Sequence, residues 1–375
     1  MKKLLTVLLA VLMVLGLTAC GGGSTATDTP ADDGIIKADI VLITDAKSVD
    51  DRGFNQYSWE GVKAYAEPNG ISHNYYMPTE QTTEQYLTQI DTAVKGGAKI
   101  IVCPGFLFGD AVSEAQFIYP DVKFICVDFG PADCQPNAIG VYFEEQESGF
   151  LAGYAAVKEG FTKLGFYGAM AVPAVKNFGY GYLAGADLAA QEMGLAEGDV
   201  TVKYSYTGTF DLKPEFVTEA KGWYTEGAEV IFGCGTPDNV VQAVDAYNDT
   251  AENKAWAIGV DSDESVLSQY VITSAMKNLP PVISSLIAEV YDGTFEGGRD
   301  VRYNAKHDAV ALPTATESWR FKNFTQEEYK EVFAKLTTDD EFRTSLPTSS
   351  YETCEDFVNS GYLKVVKVDI VNDSK

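Results

Sequence analysis

Acidic, amide and aromatic side chains stand together after the first short apolar run of the chain. The run ends at Ile43, and Asp45, Phe54 and Asn55 follow before the next apolar periodicity is established. Carboxylates and amides hydrogen-bond hydroxyl and amine groups, and an aromatic ring stacks on flat molecules. These residue types therefore indicate a site for a small polar molecule that carries a flat group.

Charged residues also follow later apolar runs in the sequence. Asp128 comes after the run 122–127, Asp261 comes after the run 257–260, and Lys277 closes another strand-like run. For a single carboxylate, helix capping or a solvated turn is the competing interpretation. In open α/β sheets, however, functional groups collect at the carboxyl ends of the strands. The repetition therefore favours one shared site.

Strand-like and helix-like segments alternate along the chain, and this alternation must position those residues. Runs rich in β-branched residues at 38–44, 99–103 and 122–127 are separated by helical periodicity at 55–66 and 83–96. After a helix at 148–159 the pattern restarts. Strands at 163–167, 201–206, 229–232 and 255–260 alternate with helices at 174–193, 214–226 and 239–247.

Two successive α/β units predict two lobes, each a parallel sheet flanked by helices, with a cleft between them. We expect lobe 1 to contain 36–143 plus about 262–300, and lobe 2 to contain 144–261 plus about 301–375. The last stretch has a helix at 282–291, an irregular Gly-containing segment, an acidic helix at 326–336 and an apolar run at 363–371. It is too fragmentary for a third domain and is expected to complete both lobes.

The N-terminus has the features of a lipoprotein signal. Lys2 and Lys3 precede an apolar run at 4–17 that is too short to span a bilayer comfortably, and Ala19-Cys20 follows. We therefore expect a signal peptide at 1–19, palmitate or a related lipid on Cys20, and a flexible tether at 20–35. The protein would be anchored to the cell membrane and face its extracytoplasmic side.

Composition excludes several classes of function. The 46% hydrophobic content can supply two cores, whereas a formal net charge of −26 repels nucleic acid over most of the surface. The five cysteines after Cys20 have no CxxC spacing and no histidine nearby, so no metal and no cofactor is expected. One disulfide is left open.

Catalytic signatures are missing from the sequence. His73 and His307 stand in no nucleophile arrangement, and neither a GxSxG elbow nor a P-loop occurs. Gly179-Tyr180-Gly181 and Gly233-Cys234-Gly235 are only fragments of a dinucleotide fingerprint, and tight turns beside helices explain them better. We predict a binding protein and no enzyme.

Four motifs together resemble the basic membrane protein (BMP) family of substrate-binding lipoproteins, also called the purine nucleoside receptor family. The resemblance covers nearly the whole mature chain. The motifs are Asp50-Asp51-Arg52-Gly53-Phe54-Asn55-Gln56, Pro173-Ala174-Val175-Lys176-Asn177-Phe178 with Gly181 and Gly185, Gly259-Val260-Asp261-Ser262-Asp263, and Thr273-Ser274-Ala275-Met276-Lys277-Asn278. The resemblance implies a two-lobed, type I periplasmic-binding-protein fold that serves an ABC importer and delivers a nucleoside to the permease.

The resemblance also implies roles for individual residues, carried over motif by motif. Phe54 is similar to one face of an aromatic clamp on the base. Asp45 and Asp128 are similar to base-edge contacts, and Asp261 and Lys277 to contacts with the ribose hydroxyls. Asn55 belongs to the same site.

The second face of the clamp is assigned to Phe210, which lies in Tyr206-Thr207-Gly208-Thr209-Phe210-Asp211. Tyr206 is a competing aromatic, and plain core packing is the alternative for Phe210. Gly235 would allow a close backbone approach to the sugar. The segment around Gly235 departs from the glycine-rich run of the family.

The sequence leaves two alternative functions, a nucleoside hydrolase and a sensor lipoprotein. Asp45, Asp50 and Asp51 superficially mimic the calcium signature of nucleoside hydrolases, but Ile43 stands where that signature has a further Asp, and the spacing is one residue shorter. A sensor lipoprotein for a sugar or a nucleoside is the second alternative. The ligand itself stays open among purine nucleosides, pyrimidine nucleosides and sugars, and a monomer is expected.

Overall fold

Strands and helices alternate along residues 35–45, 47–51 and 53–373, which are the residues that the computed structural model describes. The predicted signal peptide, Cys20 and the tether as far as residue 34 lie outside these residues, so those assignments stay predictions.

The first α/β cycle supplies five strands and three helices. The strands are β1 (Ile40–Ile43), β2 (His73–Tyr76), β3 (Ile100–Pro104), β4 (Lys123–Val127) and β5 (Ala138–Phe143); the helices are α1 (Phe54–Ala66), α2 (Thr83–Lys95) and α3 (Gly109–Ile118). Both faces of this sheet are covered, because Ile40 and Leu42 of β1 enter one buried cluster while Val41 and Ile43 enter another.

The second cycle repeats this arrangement. The strands are β6 (Lys163–Gly168), β7 (Thr201–Tyr206), β8 (Val230–Cys234), β9 (Trp256–Asp261) and β10 (Val271–Lys277); the helices are α4 (Glu145–Glu159), α5 (Pro173–Glu192), α6 (Pro214–Thr225) and α7 (Pro237–Asn248). The rest of the described chain forms α8 (Leu279–Asp292), β11 (Arg299–Tyr303), β12 (Val310–Ala311), α9 (Gln326–Thr338), α10 (Asp340–Thr344), α11 (Cys354–Asn359) and β13 (Lys367–Asn372).

The six strands of the first sheet follow the same order as six of the seven strands of the second, in which β13 is an additional edge strand. The first sheet runs β2-β1-β3-β4-β5-β11, and the second runs β13-β7-β6-β8-β9-β10-β12. Neighbouring strands of both sheets pair in parallel, except that β12 runs antiparallel to β10. Strand β4 of the first sheet therefore occupies the place of β9 in the second. The predicted fold class, two lobes of parallel sheet flanked by helices, is confirmed.

The chain passes between the two sheets at three places. It leaves the first sheet between β5 and α4, returns between β10 and α8, and leaves again between β11 and β12; α4 packs on β10 and β12, while α8 packs on α1 and β4. Hydrogen bonds tie these crossings to one another. The amide of Glu144 donates to the Tyr303 carbonyl at 2.9 Å, and the amide of Asn278 donates to the Ala309 carbonyl at 2.8 Å.

Helices α4 and α5 pack backbone against backbone. A Cβ added to Gly149 would lie 2.1 Å from the Phe178 carbonyl oxygen, and one added to Gly185 would lie 1.9 Å from the Phe150 carbonyl oxygen. Gly153 and Gly181 are equally constrained by backbone of the facing helix. Glycine is required at these positions because any side chain would separate the helices. This close packing brings the first turns of α4 and α5 together.

Some elements differ from the sequence-based expectation. The predicted range 262–300 of lobe 1 includes β10, but β10 pairs with β9 in the second sheet, so the return crossing comes one strand later. The segment expected to be irregular contains β11, an edge strand whose residues are mostly exposed, and such a strand carries little apolar signal. Across the described ranges, no helix is both long and apolar enough to cross a membrane.

Candidate ligand-binding site

Two aspartates end equivalent strands of the two sheets in the same backbone conformation. Asp128 follows β4 and Asp261 ends β9, and both have a φ of 64°, in the left-handed region. Aspartate tolerates this region better than most residues because its short polar side chain bonds locally. Both predicted acids therefore leave their strands with the same abrupt turn.

Lys277 joins these two aspartates. It is the last residue of β10, and its ammonium lies 2.5 Å from Asp128 Oδ2, 3.7 Å from Asp261 Oδ1 and 3.6 Å from Glu145 Oε1. Only 2% of the Lys277 side chain is exposed. An ammonium this deeply buried needs close anionic partners to offset its lost hydration. The structure thus brings three predicted site residues together and adds Glu145, which the sequence analysis did not select.

Burial and charge act in opposite directions on this cluster. Burial lowers the pKa of Lys277, but the carboxylates of Asp128, Asp261 and Glu145 outweigh it and hold the pKa above 10.5. Burial also raises the pKa of Asp261, and it raises the pKa of Glu145 to about 7 despite the nearby ammonium. Lys277 is therefore the fixed charge of the cluster, while the protonation of Glu145 changes near neutral pH.

Two carboxylate oxygens of the cluster are buried and accept no hydrogen bond from any of the described residues. These are Asp128 Oδ1 and Asp261 Oδ1, and the latter lies too far from Lys277 Nζ for a hydrogen bond. A buried acceptor without a donor is unfavourable by about 1–3 kcal/mol. The arrangement can therefore bind a molecule with hydroxyl or N–H donors on two sides.

Aromatic rings surround the same ammonium. Lys277 Nζ lies 5.1 Å from the ring centroid of Phe54, 5.6 Å from that of Phe143 and 5.9 Å from that of Phe178. Each distance is within the range of a cation–π contact. Phe54 is only partly buried, so the predicted clamp residue lies next to the charged cluster with part of its surface accessible.

Asn55 organises the loop after β1. Its Nδ2 donates to Asp45 Oδ1 and to Asp51 Oδ2, both at 2.9 Å, and its Oδ1 accepts the Asp45 amide at 3.2 Å. The side chain is buried, and both amide hydrogens are used within the loop. Asn55 thus positions Asp45. Direct contact of Asn55 with a ligand stays a prediction, as does the base-edge role of Asp45.

Asp51 precedes helix α1 and caps its first turn. Its carboxylate accepts hydrogen bonds from the amides of Gly53 at 2.9 Å, Asn55 at 3.2 Å and Gln56 at 3.0 Å. These amides have no partners within the helix, so a carboxylate there stabilises the helix start. For this one acid, capping explains its place in the motif.

Phe210 lies on the loop that follows β7, and Lys47, on the loop that follows β1, contacts it. The Lys47 ammonium donates to the Phe210 carbonyl at 3.1 Å. The competing aromatic, Tyr206, is buried in the core with its hydroxyl 2.7 Å from that of Tyr204. Phe210 is therefore the more accessible of the two rings.

Gly235 makes room for the Phe210 ring. Its φ is 89°, and a Cβ there would lie 3.0 Å from Phe210 Cε1 and 2.9 Å from Ala169 Cβ. This packing accounts for the glycine without a ligand. The predicted close approach of Gly235 to a sugar stays a prediction.

A cavity of about 420 Å³ lies between the first turn of α1 and the short 3-10 helix Glu264–Val266. Its lining lies in the segments that follow β1 and β9 and consists of Asp50, Gln56, Tyr57, Asp263, Glu264, Val266 and Leu267. A space of this size falls within the range of small-molecule sites.

Among the described residues, Cys103, Cys126, Cys134, Cys234 and Cys354 are free thiols. No group of three or more His, Cys, Asp or Glu within the described ranges could hold a metal ion.

Comparison with known proteins gives the family. The sequence profile of the Bmp family, described as ABC transporter substrate-binding protein PnrA-like, matches residues 38–347. The chain belongs to this family. It is accordingly an ABC transporter substrate-binding protein, and the resemblance drawn from its motifs is confirmed.

Individual members and structures agree with that assignment. The ABC transporter nucleoside-binding protein BmpA of Lactococcus lactis subsp. cremoris is 31% identical over 360 residues, which cover 90% of this chain and 97% of that protein. A protein of Pyrococcus abyssi named as an uncharacterized lipoprotein is 28% identical over 299 residues, covering 78% of this chain and 72% of that protein. A solute-binding protein of an ABC transporter system from Aeropyrum pernix K1 superimposes with a TM-score of 0.65 at 23% identity, covering 87% and 90%.

The sequence analysis did not select Glu145 or Phe143, which lie beside Lys277, and it gave no role to Asn177, which donates to Glu145 Oε2 at 2.9 Å. Glu145 opens a helix and Phe143 ends an apolar run, so each has an ordinary structural explanation. The available signal was the Gly-x-x-x-Gly spacing of Gly149 with Gly153 and of Gly181 with Gly185, which predicts close contact of the two helices.

Proposed function

We propose that this Bmp-family protein binds a nucleoside, with purine nucleosides preferred, in the cleft between its two sheets and delivers it to an ABC importer. One observation carries the proposal. Lys277 stands between Asp128 and Asp261, and each aspartate keeps one buried oxygen without a donor. Neighbouring hydroxyls of a ribose are donors of the kind that these two oxygens lack.

The charge of the cluster supports a neutral ligand. Three carboxylates surround one ammonium, so a phosphate would meet more repulsion than attraction. Charge-assisted hydrogen bonds from hydroxyls to carboxylates are roughly twice as strong as neutral ones. A sugar with free hydroxyls satisfies the site without bringing a charge into it.

The aromatic groups support a flat base beside that sugar. Phe54 lies 5.1 Å from Lys277 Nζ, measured to its ring centroid, and would stack on one face of the base. Phe210 would cover the other face. The contact between Lys47 and the Phe210 carbonyl supports this role because it links the Phe210 loop to the loop that leads to Phe54. Stacking is tolerant of base identity, and the relative from Lactococcus lactis is named only as nucleoside-binding.

A binding measurement tests the proposal. The protein expressed from Gly34 onward is titrated by calorimetry with inosine, adenosine, uridine and ribose, and each mixture is then analysed for free base with and without calcium. We expect the nucleosides to bind, inosine and adenosine more tightly than uridine, and ribose far more weakly. Failure of every nucleoside to bind would refute the proposal. Release of free base at enzymatic rates would assign the protein to the hydrolases.

We further propose that Cys20 carries the lipid that holds the protein, as a monomer, on the outer face of the cell membrane. The support is the lipobox-like Leu17-Thr18-Ala19-Cys20 and the naming of a relative as a lipoprotein. Cells that express the full chain are labelled with radioactive palmitate and fractionated. The wild-type protein should be labelled and found with membranes, whereas Cys20→Ser should be unlabelled. Equal labelling of both proteins would contradict the assignment.

A further inference from the structure

Glu145 is a third carboxylate beside Lys277, and the proposed function gives it no contact with the ligand. It is the first residue of α4, directly after the chain leaves the first sheet, whereas Lys277 is the last residue of β10, directly before the chain returns. The Glu145 Oε1 atom lies 3.6 Å from Lys277 Nζ, and both side chains are buried. The contact therefore joins two of the three crossings.

The other oxygen of Glu145 is held from α5. Asn177 Nδ2 donates to Glu145 Oε2 at 2.9 Å, and Asn177 Oδ1 accepts the amide of Ser349 at 2.7 Å. The backbone contact of α4 with α5 fixes the separation of Glu145 and Asn177. One face of the carboxylate is thus fixed by an amide, and the other faces the ammonium.

We propose that Glu145 is a positioning residue of the ligand site, which, held by Asn177, fixes the Lys277 ammonium so that Asp128 and Asp261 each keep an oxygen for the ligand. The inference rests on the proposed binding of a nucleoside. Without the charge of Glu145, the ammonium would move toward Asp128 and Asp261 and would occupy the oxygens intended for the sugar.

The state of Glu145 should then affect binding near neutral pH. Burial raises the pKa of Glu145 to about 7, and the charged groups that face it are Lys277 from β10 and Asp128 from the end of β4. Asp261 faces the same ammonium from β9, and Glu144 and Glu147 belong to the chain around the start of α4. Inosine should bind several-fold more weakly at about pH 6 than at about pH 8, because the protonated Glu145 no longer holds the ammonium.

Glu145→Gln is the first test, since it keeps the shape and the acceptor for Asn177 but removes the charge. The affinity for inosine at about pH 8 should fall by about fivefold to tenfold, whereas 2′,3′-dideoxyinosine, which lacks the 2′ and 3′ hydroxyls of the sugar, should be affected less. The pH dependence around pH 7 should also flatten. Glu147→Gln, the same change two residues along the helix, should leave the preference for inosine and its pH dependence unchanged.

A second measurement needs no ligand. Lysines of the ligand-free protein are labelled competitively with an acetylating reagent, and the rate at Lys277 is read by mass spectrometry. Glu145→Gln should raise the rate at Lys277 several-fold, while Glu147→Gln should not. An unchanged rate, or an unchanged preference for inosine over the dideoxy analogue with only a lower melting temperature, overturns the positioning role. If the wild-type protein binds no nucleoside at all, the proposed function fails, and the labelling result alone still decides whether Glu145 positions Lys277.

Discussion

Asp261 ends β9 with a buried carboxylate oxygen that accepts no hydrogen bond. We expect Asp261→Asn to weaken inosine binding by about tenfold or more, because a charge-assisted hydrogen bond contributes roughly 1.5–3 kcal/mol. Binding of 2′,3′-dideoxyinosine should weaken less. Calorimetry with both nucleosides measures the difference. If Asp261 merely ended its strand, affinity would be unchanged.

The matched control for this substitution is Asp187→Asn. Asp187 is also a buried aspartate, but its Oδ1 accepts the amides of Lys364, Val365 and Val366, which lie in a structural turn. This variant should lower the melting temperature and leave the affinity of the folded protein intact. If Asp187→Asn weakened inosine binding and Asp261→Asn did not, the ligand would not bind at Asp261.

Phe54 contributes through its ring and not through a polar group. Phe54→Ala should therefore weaken inosine and 2′,3′-dideoxyinosine by the same factor, of about tenfold, since a base–aromatic stack contributes roughly 1–3 kcal/mol. Phe117→Ala removes an exposed ring on α3 and should change neither affinity. Loss of melting temperature with unchanged affinity in Phe54→Ala would instead make this ring part of the core.

The close contact between α4 and α5 predicts that replacing one of its glycines strongly destabilises the protein. In Gly185→Ala the new methyl group would lie 1.9 Å from the Phe150 carbonyl oxygen, and backbone cannot move aside as a side chain can. We expect a loss of at least roughly 3 kcal/mol in the free energy of unfolding, measured by urea denaturation. A variant as stable as the wild type would show that the helices can separate.

Gly222→Ala is the control, because Gly222 lies within α6 and a Cβ there would meet nothing within 4 Å. This change should stabilise the protein by about 0.5–1 kcal/mol, since alanine favours the helix over glycine. Opposite signs for the same substitution would separate packing from helix propensity.

Most strands of the core could be predicted from the sequence, but the buried strand β5 and helix α3 were missed, as were the edge strands β2 and β11. The strand that leads to Asp45 and helix α1 were predicted to within a few residues, because both carry strong apolar periodicity. Edge strands β2 and β11 are partly exposed and lack that signal. The side of the molecule on which β10 lies could not be predicted either, since both sheets present similar buried surfaces.

The charged residues of the candidate site that could be predicted from the sequence lie at the ends of strands. Asp128, Asp261 and Lys277 come directly after or at the end of apolar runs, and the structure brings them together. Glu145 and Asn177 approach Lys277 through the packing of two helices, which involves contacts between residues distant in sequence. The packing of Gly235 under the Phe210 ring likewise depends on how two loops meet.

Several acids buried in the folded protein should make it more stable on mild acidification. Burial raises the pKa of Glu147 to about 7, even though Arg343 and the Ala305 amide contact its carboxylate. The folded state therefore binds the proton of the Glu147 carboxyl more tightly than the unfolded state does. The resulting contribution to the free energy of unfolding is complete below about pH 4.5 and is lost as the pH rises through about 7. Burial acts in the same direction on the pKa of Glu145 and of Glu264.

Other acids set the lower limit of this window. Hydrogen bonds from Tyr154, Lys158 and Lys335 outweigh burial and lower the pKa of Glu192 to about 2, so its contribution is lost only as the pH falls below about 4.5. The melting temperature should therefore be highest near about pH 5. Glu147→Gln should reduce the decline toward pH 7 by roughly 2 kcal/mol, and an unchanged decline would exclude Glu147 as its source.

The overall charge of −26 acts together with the local acids on ligand choice. We expect inosine to bind at least tenfold more tightly than inosine monophosphate, because the phosphate would approach an acidic surface with Lys277 as the one cation of the charged cluster described here. Higher salt should narrow the gap by screening the surface. Equal affinities in calorimetry would contradict this electrostatic picture.

The glycine contact between α4 and α5 has a consequence for how such a protein can diversify. Gly149 and Gly185 face backbone and admit no compensating exchange of a larger for a smaller side chain. No single substitution at these glycines is therefore tolerated, whereas residues of the loops after β1 and β7 can be replaced one by one. New ligand preferences would then arise by altering Phe54 or Phe210 while the frame that holds Glu145 beside Lys277 is inherited intact.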